Sequence, residues 1–158
     1  MLGTVSKCLM AVVLSIPLGV PCVSQPTDHP SEIPFEHSSV FGLILIRIVA
    51  NGTPAVFIVD TASSRTILSA ELTDAHRPSA TSVSTSKGSG FQGTGVLAKA
   101  TLKIGPIIWH EHTVLVMETR ELSRSLGQQV DGLLGIDFFG EFKEVVIDLK
   151  NCKLILKP

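Results

Sequence analysis

The sequence contains little cysteine, only Cys8, Cys22 and Cys152. The first two lie in residues 1–24, where a lysine precedes an apolar run at 8–20 and small or polar residues follow. This order is typical of a secretory signal peptide. Cleavage of the signal would leave Cys152 alone, so we expect no disulfide inside the exported domain, although export would permit one. The domain must therefore depend on its apolar core.

An excess of charge of either sign is also missing, since 13 lysines and arginines face 14 aspartates and glutamates, for a net charge of −1. No basic cluster occurs, which argues against a nucleic-acid partner. No apolar run spans a membrane comfortably either, because the run at 8–20 is about 13 residues long and contains Pro17. We expect a periplasmic or secreted protein. Retention of the N-terminal segment as a membrane anchor and acylation of Cys22 are the alternatives.

Residues 25–34 are polar and contain three prolines, which predicts a flexible leader before a single all-β domain at 35–158. Two apolar runs, 40–50 and 55–60, flank Asn51-Gly52 and indicate a tight hairpin. Asn51-Gly52-Thr53 also fits a glycosylation acceptor, but the turn explains the same residues. The remaining predicted elements are strands at 66–68, 96–104, 107–109, 113–117, 144–149 and 152–156, a short helix at 70–75, and a linker or hairpin tip rich in Ser, Thr and Gly at 78–95.

The second apolar run ends in the most informative residues of the chain, Asp60-Thr61-Ala62-Ser63-Ser64, which place a carboxylate at the end of a buried strand. Hydrolysis of a peptide bond by carboxylates needs two of them about 3 Å apart, one activating water and one protonating the carbonyl oxygen. The chain has no second Asp-Thr or Asp-Ser followed by Gly or Ala, so the second carboxylate would come from another copy. Use within one chain would require Asp131, Asp137 or Asp148, and none of them has a matching strand-to-loop context.

Two further blocks strengthen this signal: the glycine-rich segment 88–93, and Asp131-Gly132-Leu133-Leu134-Gly135-Ile136 with the three residues after it. Together with residues 51–64, in this order, they resemble the retropepsin-like aspartic proteases, specifically the small exported bacterial type. The resemblance extends from about residue 33 to residue 156. It implies an all-β fold, a closed β-barrel or sandwich with one or two short helices and a flap hairpin.

The resemblance also implies a role for each matching residue. Asp60 would be the catalytic carboxylate, and a homodimer would supply the second one. The loop that carries Asp60 would be supported by the residues after Asp60. A flap would close over the substrate, and a buried segment would cross under the active site. Substrates would be peptides or unfolded protein segments, with no metal and no organic cofactor. The residues implied are Thr61, Ala62 and Ser63 in the loop, Gly88, Gly90, Phe91 and Gly93 in the flap, and Leu133, Leu134 and Gly135 under the site.

Ala62 departs from the family pattern, in which glycine is usual at this position. Alanine keeps the N–H that can bond to Asp60 but adds a methyl group. At a negative φ the methyl group costs little, whereas at a positive φ it costs on the order of 1 kcal/mol or more. A catalytically inactive peptide-binding or dimerisation module on the same fold is therefore the alternative to an aspartic endopeptidase.

Four other residues invite a chemical role but have a simpler explanation. His110 and His112 would share one face of a strand, yet no third metal ligand accompanies them, so a solvated strand end beside Trp109 is the better interpretation. Asp137 is expected to cap a short helix. Cys152 is expected to be a small core residue.

Overall fold

The computed structural model describes residues 29–39, 41–73, 83–88 and 91–158, and for 83–88 and 91–94 it describes the backbone alone. The predicted signal peptide, residues 25–28 of the predicted leader and Gly90 lie outside this part of the chain. No helix within the described ranges is long and apolar enough to cross a membrane. The elements are β1 (Ser31–Pro34), β2 (Glu36–His37), β3 (Ile44–Ala50), β4 (Thr53–Val59), β5 (Ile67–Ser69), a 3-10 turn (Ala70–Leu72), β6 (Val83–Gly88), β7 (Phe91–Ile104), β8 (Ile107–Met117), α1 (Arg120–Leu126), β9 (Gly132–Leu134), α2 (Ile136–Phe139), β10 (Glu144–Asp148) and β11 (Lys153–Lys157).

Six strands close into a barrel in the order β3-β4-β9-β5-β8-β7. A short pairing of β7 with β3, in which Ala50 lies opposite Leu102, joins the last strand to the first. The short strand β9 runs parallel to β4 and antiparallel to β5, so it lies between the two strands that flank the Asp60 loop in sequence. The expectation of an all-β closed barrel with one or two short helices is confirmed.

The hairpin predicted at Asn51-Gly52 joins β3 to β4. Ala50 pairs with Thr53, which leaves two residues in the turn. Asn51 has a φ of 48° and Gly52 a φ of 85°, and a type I′ turn requires positive φ at both central positions. The turn fixes the register of β4 and therefore the position of Asp60 at the end of that strand.

Both faces of β4 are buried near its C-terminal end, which explains the nearly continuous apolar sequence before Asp60. Phe57 has no exposed surface and packs in the main core of the barrel with Ile46. Ile58 faces the other way and packs in a second apolar cluster with Leu126 of α1 and Leu133 of β9. Helix α1 therefore covers one side of the strands that carry the Asp60 loop.

The folded region begins earlier than the sequence indicates. The predicted flexible leader is wrong in its last four residues, because Ser31–Pro34 forms β1 and pairs with β11 in a three-stranded sheet of order β1-β11-β10. Ile33 is 2% exposed and lies in the main core with Leu154 and Leu156. The partner strand lies at the far end of the sequence, so the local proline content could not reveal the pairing.

Strand β8 contains a β-bulge. Ala100 pairs with His112 and Leu102 with Trp109, so a two-residue step on β7 lies opposite a three-residue step on β8. Glu111, inside the bulge, has a φ of 47°, which is uncommon for a residue other than glycine. The extra residue turns Trp109 and His112 toward the same face of the sheet.

The bulge also separates the two histidines of the His-Glu-His segment. His110 is exposed, whereas His112 is half-buried beside Trp109. The expectation that both imidazoles share one strand face is therefore wrong. The described residues contain no group of three His, Cys, Asp or Glu side chains placed to hold a metal ion.

Candidate active site

Asp60 follows the last residue of β4 and is held there by backbone groups on both sides. Its N–H donates to the carbonyl oxygen of Leu134 at 3.0 Å, which extends the pairing of β4 with β9 by one residue. Its own carbonyl oxygen accepts from the N–H of Ser63 at 3.2 Å. Its side-chain Oδ1 accepts from the N–H of Ala62 at 3.0 Å. The carboxylate is therefore oriented by its own loop.

The loop is anchored at its base and open at its tip. Ser63 is buried, its Oγ donates to the carbonyl oxygen of Arg65 at 2.7 Å, and its own carbonyl oxygen accepts from the N–H of Ile136 at 2.8 Å. Thr61 and Ala62 are exposed. An exposed tip next to an oriented carboxylate leaves room for a second protein chain or a substrate to approach.

Ala62 lies outside the left-handed region of backbone conformation. The non-glycine residues with a positive φ in the described part of the chain are Phe41, Asn51, Glu111 and Cys152. The methyl group of Ala62 therefore causes no backbone strain of the kind that favours glycine. Its N–H bonds to the Asp60 carboxylate as expected from the sequence.

Replacing Ala62 with glycine should lower the free energy of unfolding by about 0.4–1 kcal/mol, because glycine increases the conformational freedom of the unfolded chain. A positive φ at this position would reverse the sign, since alanine would then be strained in the folded protein. Thermal unfolding of the parent and the Ala62→Gly protein, followed by circular dichroism, measures the difference. A higher unfolding temperature for the variant would contradict the conformation of this loop.

Leu133, Leu134 and Gly135 lie directly beside the Asp60 loop, and the two flanking glycines make their close approach possible. A Cβ added at Gly135 would lie 2.6 Å from the carbonyl carbon of Arg65. A Cβ added at Gly132 would overlap the carbonyl oxygen of Ile67 and lie 2.5 Å from Cζ of Phe57. Only glycine fits at either end of this buried segment.

Asp137 joins the start of β5 to α2 from inside the first turn of the helix, where its Oδ1 also accepts from the N–H of Phe138 at 3.0 Å. The N-cap position is occupied by Gly135, so the predicted capping role is wrong. Oδ1 of Asp137 accepts from both the N–H of Thr66 at 2.9 Å and the Thr66 hydroxyl at 2.8 Å. The Thr66 hydroxyl in turn accepts from the N–H of Gly135 at 3.1 Å. Thr66 was missed in the sequence because a threonine before a short strand carries no signal of its own.

The other carboxylates considered as intrachain partners of Asp60 have structural partners of their own. Asp131 is buried, and its Oδ2 accepts from the N–H of Val56 at 2.9 Å. Asp148 accepts from the side chain and the N–H of Asn151, which lowers the pKa of that carboxyl. Asp131, Asp137 and Asp148 therefore all hold local structure. None of them belongs to a strand-to-loop segment like that of Asp60.

An apolar groove of about 290 Å³ adjoins Asp60. Its walls come from the segment before β3, the ends of β4 and β9, and α1, and Asp60 is the one charged residue among the described residues that line it. Phe41 is 80% exposed at its rim. For the wall formed by α1, the sequence contains one signal, the four-residue spacing of Leu122 and Leu126, which places both on one helical face. The lining residues are Phe41, Leu43, Ile58, Val59, Asp60, Leu122, Leu126 and Leu133.

The glycine-rich segment forms a two-stranded ribbon from β6 and the beginning of β7. Gly88 pairs with Phe91, and Ser86 pairs with Gly93. This pairing fits the predicted hairpin and excludes a linker over the paired residues. Gly90, which was predicted to belong to the same flap, lies outside the described residues.

A family model described as aspartyl protease matches residues 46–138, more than half of the 158 residues and a span that includes Asp60 and β9. The chain belongs to the aspartyl protease family. Among solved structures, this aspartyl protease family member is similar to a retropepsin-like aspartic protease from Rickettsia conorii, with a TM-score of 0.54 and 20% identity over 81% of this chain and 91% of that chain. At this identity the similarity shows the retropepsin-like fold. No curated protein matches the chain.

Proposed function

We propose that this aspartyl protease family member is an exported aspartic endopeptidase, in which Asp60 and Asp60 of the partner subunit form the catalytic dyad. The observation that carries the proposal is the orientation of the Asp60 carboxylate by the Ala62 N–H at the end of β4. One carboxylate would act as a base on water, and the other, protonated, would donate to the scissile carbonyl oxygen. This mechanism requires neither a metal nor an organic cofactor.

The second carboxylate would come from a second copy because each chain supplies one such loop. The exposed residues Thr61 and Ala62 at the loop tip support this arrangement, since a two-fold axis beside them would bring the two loops together. The Thr61 hydroxyl would hydrogen-bond across the axis, while Ser63 holds each loop to its own barrel. Residues 1–24 would direct the chain to the periplasm or the exterior.

The substrate would be a peptide or an unfolded protein segment bound in an extended conformation between Asp60 and the β6–β7 ribbon. Such a segment can pair its backbone with strand edges in the manner of an added strand. The ribbon, with Gly88, Phe91 and Gly93, would close over the substrate and exclude water from the dyad. The apolar groove beside Asp60 would take an apolar side chain next to the scissile bond.

Shortening Leu122 to alanine should widen this groove and favour substrates with larger side chains there. We expect the ratio of kcat/KM for a phenylalanine-containing peptide to that for a valine-containing peptide to rise about tenfold, since a few methylene groups in an apolar pocket discriminate by that order. Leu149→Ala is a suitable control, because Leu149 is exposed in the turn between β10 and β11 and does not line the groove. An equal ratio in both variants would show that α1 does not contact the substrate.

Hydrolysis of a broad peptide library by the purified protein, from about pH 4 to 7.5, tests the proposed activity. The alternative is a peptide-binding or dimerisation module without turnover, and the reason to consider it was the alanine at position 62. That reason is weakened because the Ala62 backbone is unstrained and its N–H reaches Asp60. Failure of a folded, dimeric protein to cleave any peptide would contradict the endopeptidase and favour the binding module.

A further inference from the structure

The bulge in β8 places the His112 imidazole in a defined environment. Its ring stacks on Trp109 with the centroids 3.3 Å apart and the planes 18° from parallel. Trp109 in turn meets the edge of Phe138, a fully buried residue of α2, at 5.3 Å. Bulges occur often beside active sites, where they redirect a side chain. Here the positive φ of Glu111 is the strain that turns His112 inward.

The redirected imidazole faces the carboxylate that holds the base of the Asp60 loop. Nε2 of His112 lies 3.8 Å from Oδ2 of Asp137, and both side chains are largely shielded, with 27% and 17% of their surface exposed. The same Oδ2 accepts from the N–H of Thr66 at 2.9 Å. The residue before Asp137, Ile136, donates its N–H to the carbonyl oxygen of Ser63. A continuous set of contacts therefore runs from His112 to the loop that carries Asp60.

We propose that His112 is a positioning residue whose protonation weakens the hold of Asp137 on Thr66 and thereby loosens the loop that carries Asp60. A charged imidazole attracts Oδ2 of Asp137, and a shift of the carboxylate toward the imidazole would lengthen the bonds that its two oxygens accept from the Thr66 N–H. The effect on catalysis rests on the proposed endopeptidase function, whereas the coupling between His112 and Asp137 does not.

The charges around His112 determine which protonation state the fold prefers. Burial against Trp109 is the largest influence and lowers the pKa of His112 below its ordinary value of 6.5. Asp137 and Glu141 of the α2 region oppose this by attraction, and Lys99 and Arg65 add to it by repulsion. The neutral form is therefore the one the fold prefers.

The lowered pKa of His112 determines how stability changes with pH. Because the unfolded chain binds the His112 proton more tightly than the folded chain, the contribution of His112 to stability is complete above about pH 6.5. It is lost progressively as the pH falls from there through the lower pKa of the folded state. Acid therefore removes the contribution of neutral His112 to stability, and in the proposal it weakens the bonds between Asp137 and Thr66.

The test uses His112→Phe, which keeps an aromatic ring against Trp109 but cannot be protonated. His110→Phe is the matched control, because His110 lies exposed on the other face of the same strand. Unfolding temperatures of parent and variants are measured between about pH 7.5 and 5. We expect the parent and His110→Phe to lose several degrees more than His112→Phe over this range. Curves of equal slope for all three proteins would overturn the proposal.

An imidazole NMR titration tests the link to Asp137, with the His112 signal assigned by its disappearance in His112→Phe. In Asp137→Asn the amide can still accept from Thr66, but the attraction for the charged imidazole is removed. We expect the His112 titration midpoint to lie below its ordinary value in the parent and to fall further in Asp137→Asn. A midpoint that does not move in Asp137→Asn would overturn the coupling.

Peptide hydrolysis provides the third readout. The ratio of kcat in His112→Phe to kcat in the parent should rise by roughly threefold or more between pH 7.5 and 5, with little change in KM, since one pKa unit corresponds to a tenfold change in the linked equilibrium. A constant ratio would overturn the catalytic part of the proposal. A parent that cleaves no peptide at any pH contradicts the endopeptidase, while the unfolding and NMR results still decide the role of His112.

Discussion

Replacing Asp60 with asparagine should reduce kcat/KM for peptide hydrolysis by about a thousandfold or more. An amide can neither take a proton from water nor carry the proton that the two carboxylates share. Its oxygen can still accept from the Ala62 N–H, so the loop should keep its conformation. Initial rates on a peptide selected from the library, measured for the parent and Asp60→Asn side by side, give the ratio. Activity of Asp60→Asn close to that of the parent would contradict the mechanism.

A mixing experiment distinguishes a shared dyad from a single-chain site. If each active site takes one carboxylate from each subunit, an equal mixture of parent and Asp60→Asn chains that exchange freely should keep about a quarter of the parent activity per dimer. Chains that act alone would keep about half. Unfolding temperature and sedimentation of the variant serve as controls, because a loss of folding or of dimers would also remove activity.

The parts of the fold that were predictable depend on neighbouring residues. The β3–β4 hairpin follows from Asn51-Gly52, since few residue pairs accept positive φ at both turn positions. The apolar run before Asp60 indicated a buried strand. The structure explains the run, because both faces of β4 are covered and each needs apolar side chains. Gly135 was expected to allow close backbone approach, and the space at its Cα is filled by the backbone of Arg65 and Thr66.

The parts that were missed depend on residues far apart in the chain. β1 is a strand because β11 lies beside it, and the prolines at its ends suggested the opposite. The bulge at Glu111 adds one residue to an otherwise regular pattern, and without the pairing to β7 its position is not visible in the sequence. Asp137 looked like a helix cap because an aspartate near a helix start usually is one, whereas its partner, Thr66, lies 71 residues earlier.

The Asp60 carboxylate was therefore identifiable from a short motif, while the groups that hold its loop were not. Thr66 and Asp137 come from separate segments and meet through tertiary packing alone, and His112, which we propose as a third positioning residue, lies beside Asp137. A motif records the residues that perform chemistry, and their supports can differ between proteins that share the motif. The structure adds these supporting residues. Substitutions there can alter how tightly the Asp60 loop is held while the sequence of the loop stays the same.

Replacing Gly132 with alanine should have the largest effect on stability of any substitution considered, a loss of about 3 kcal/mol or more. The added methyl group would overlap the carbonyl oxygen of Ile67 and lie 2.5 Å from Cζ of Phe57. Both neighbours are buried in the barrel, and the oxygen belongs to the backbone of β5, so neither can move aside cheaply. A fall in unfolding temperature on the order of 10 °C is expected.

Gly140→Ala is the matched control, because it has the same effect on the unfolded chain. Gly140 lies at the end of α2 with a φ of −66°, and a Cβ there would meet only the carbonyl oxygen of Ile136, at 3.3 Å. We expect its stability to stay within about 1 kcal/mol of the parent. The difference between the two variants then measures the overlap at β9 alone. Equal unfolding temperatures would show that β9 can move away from β5, and the close packing that supports the Asp60 loop would not exist in solution.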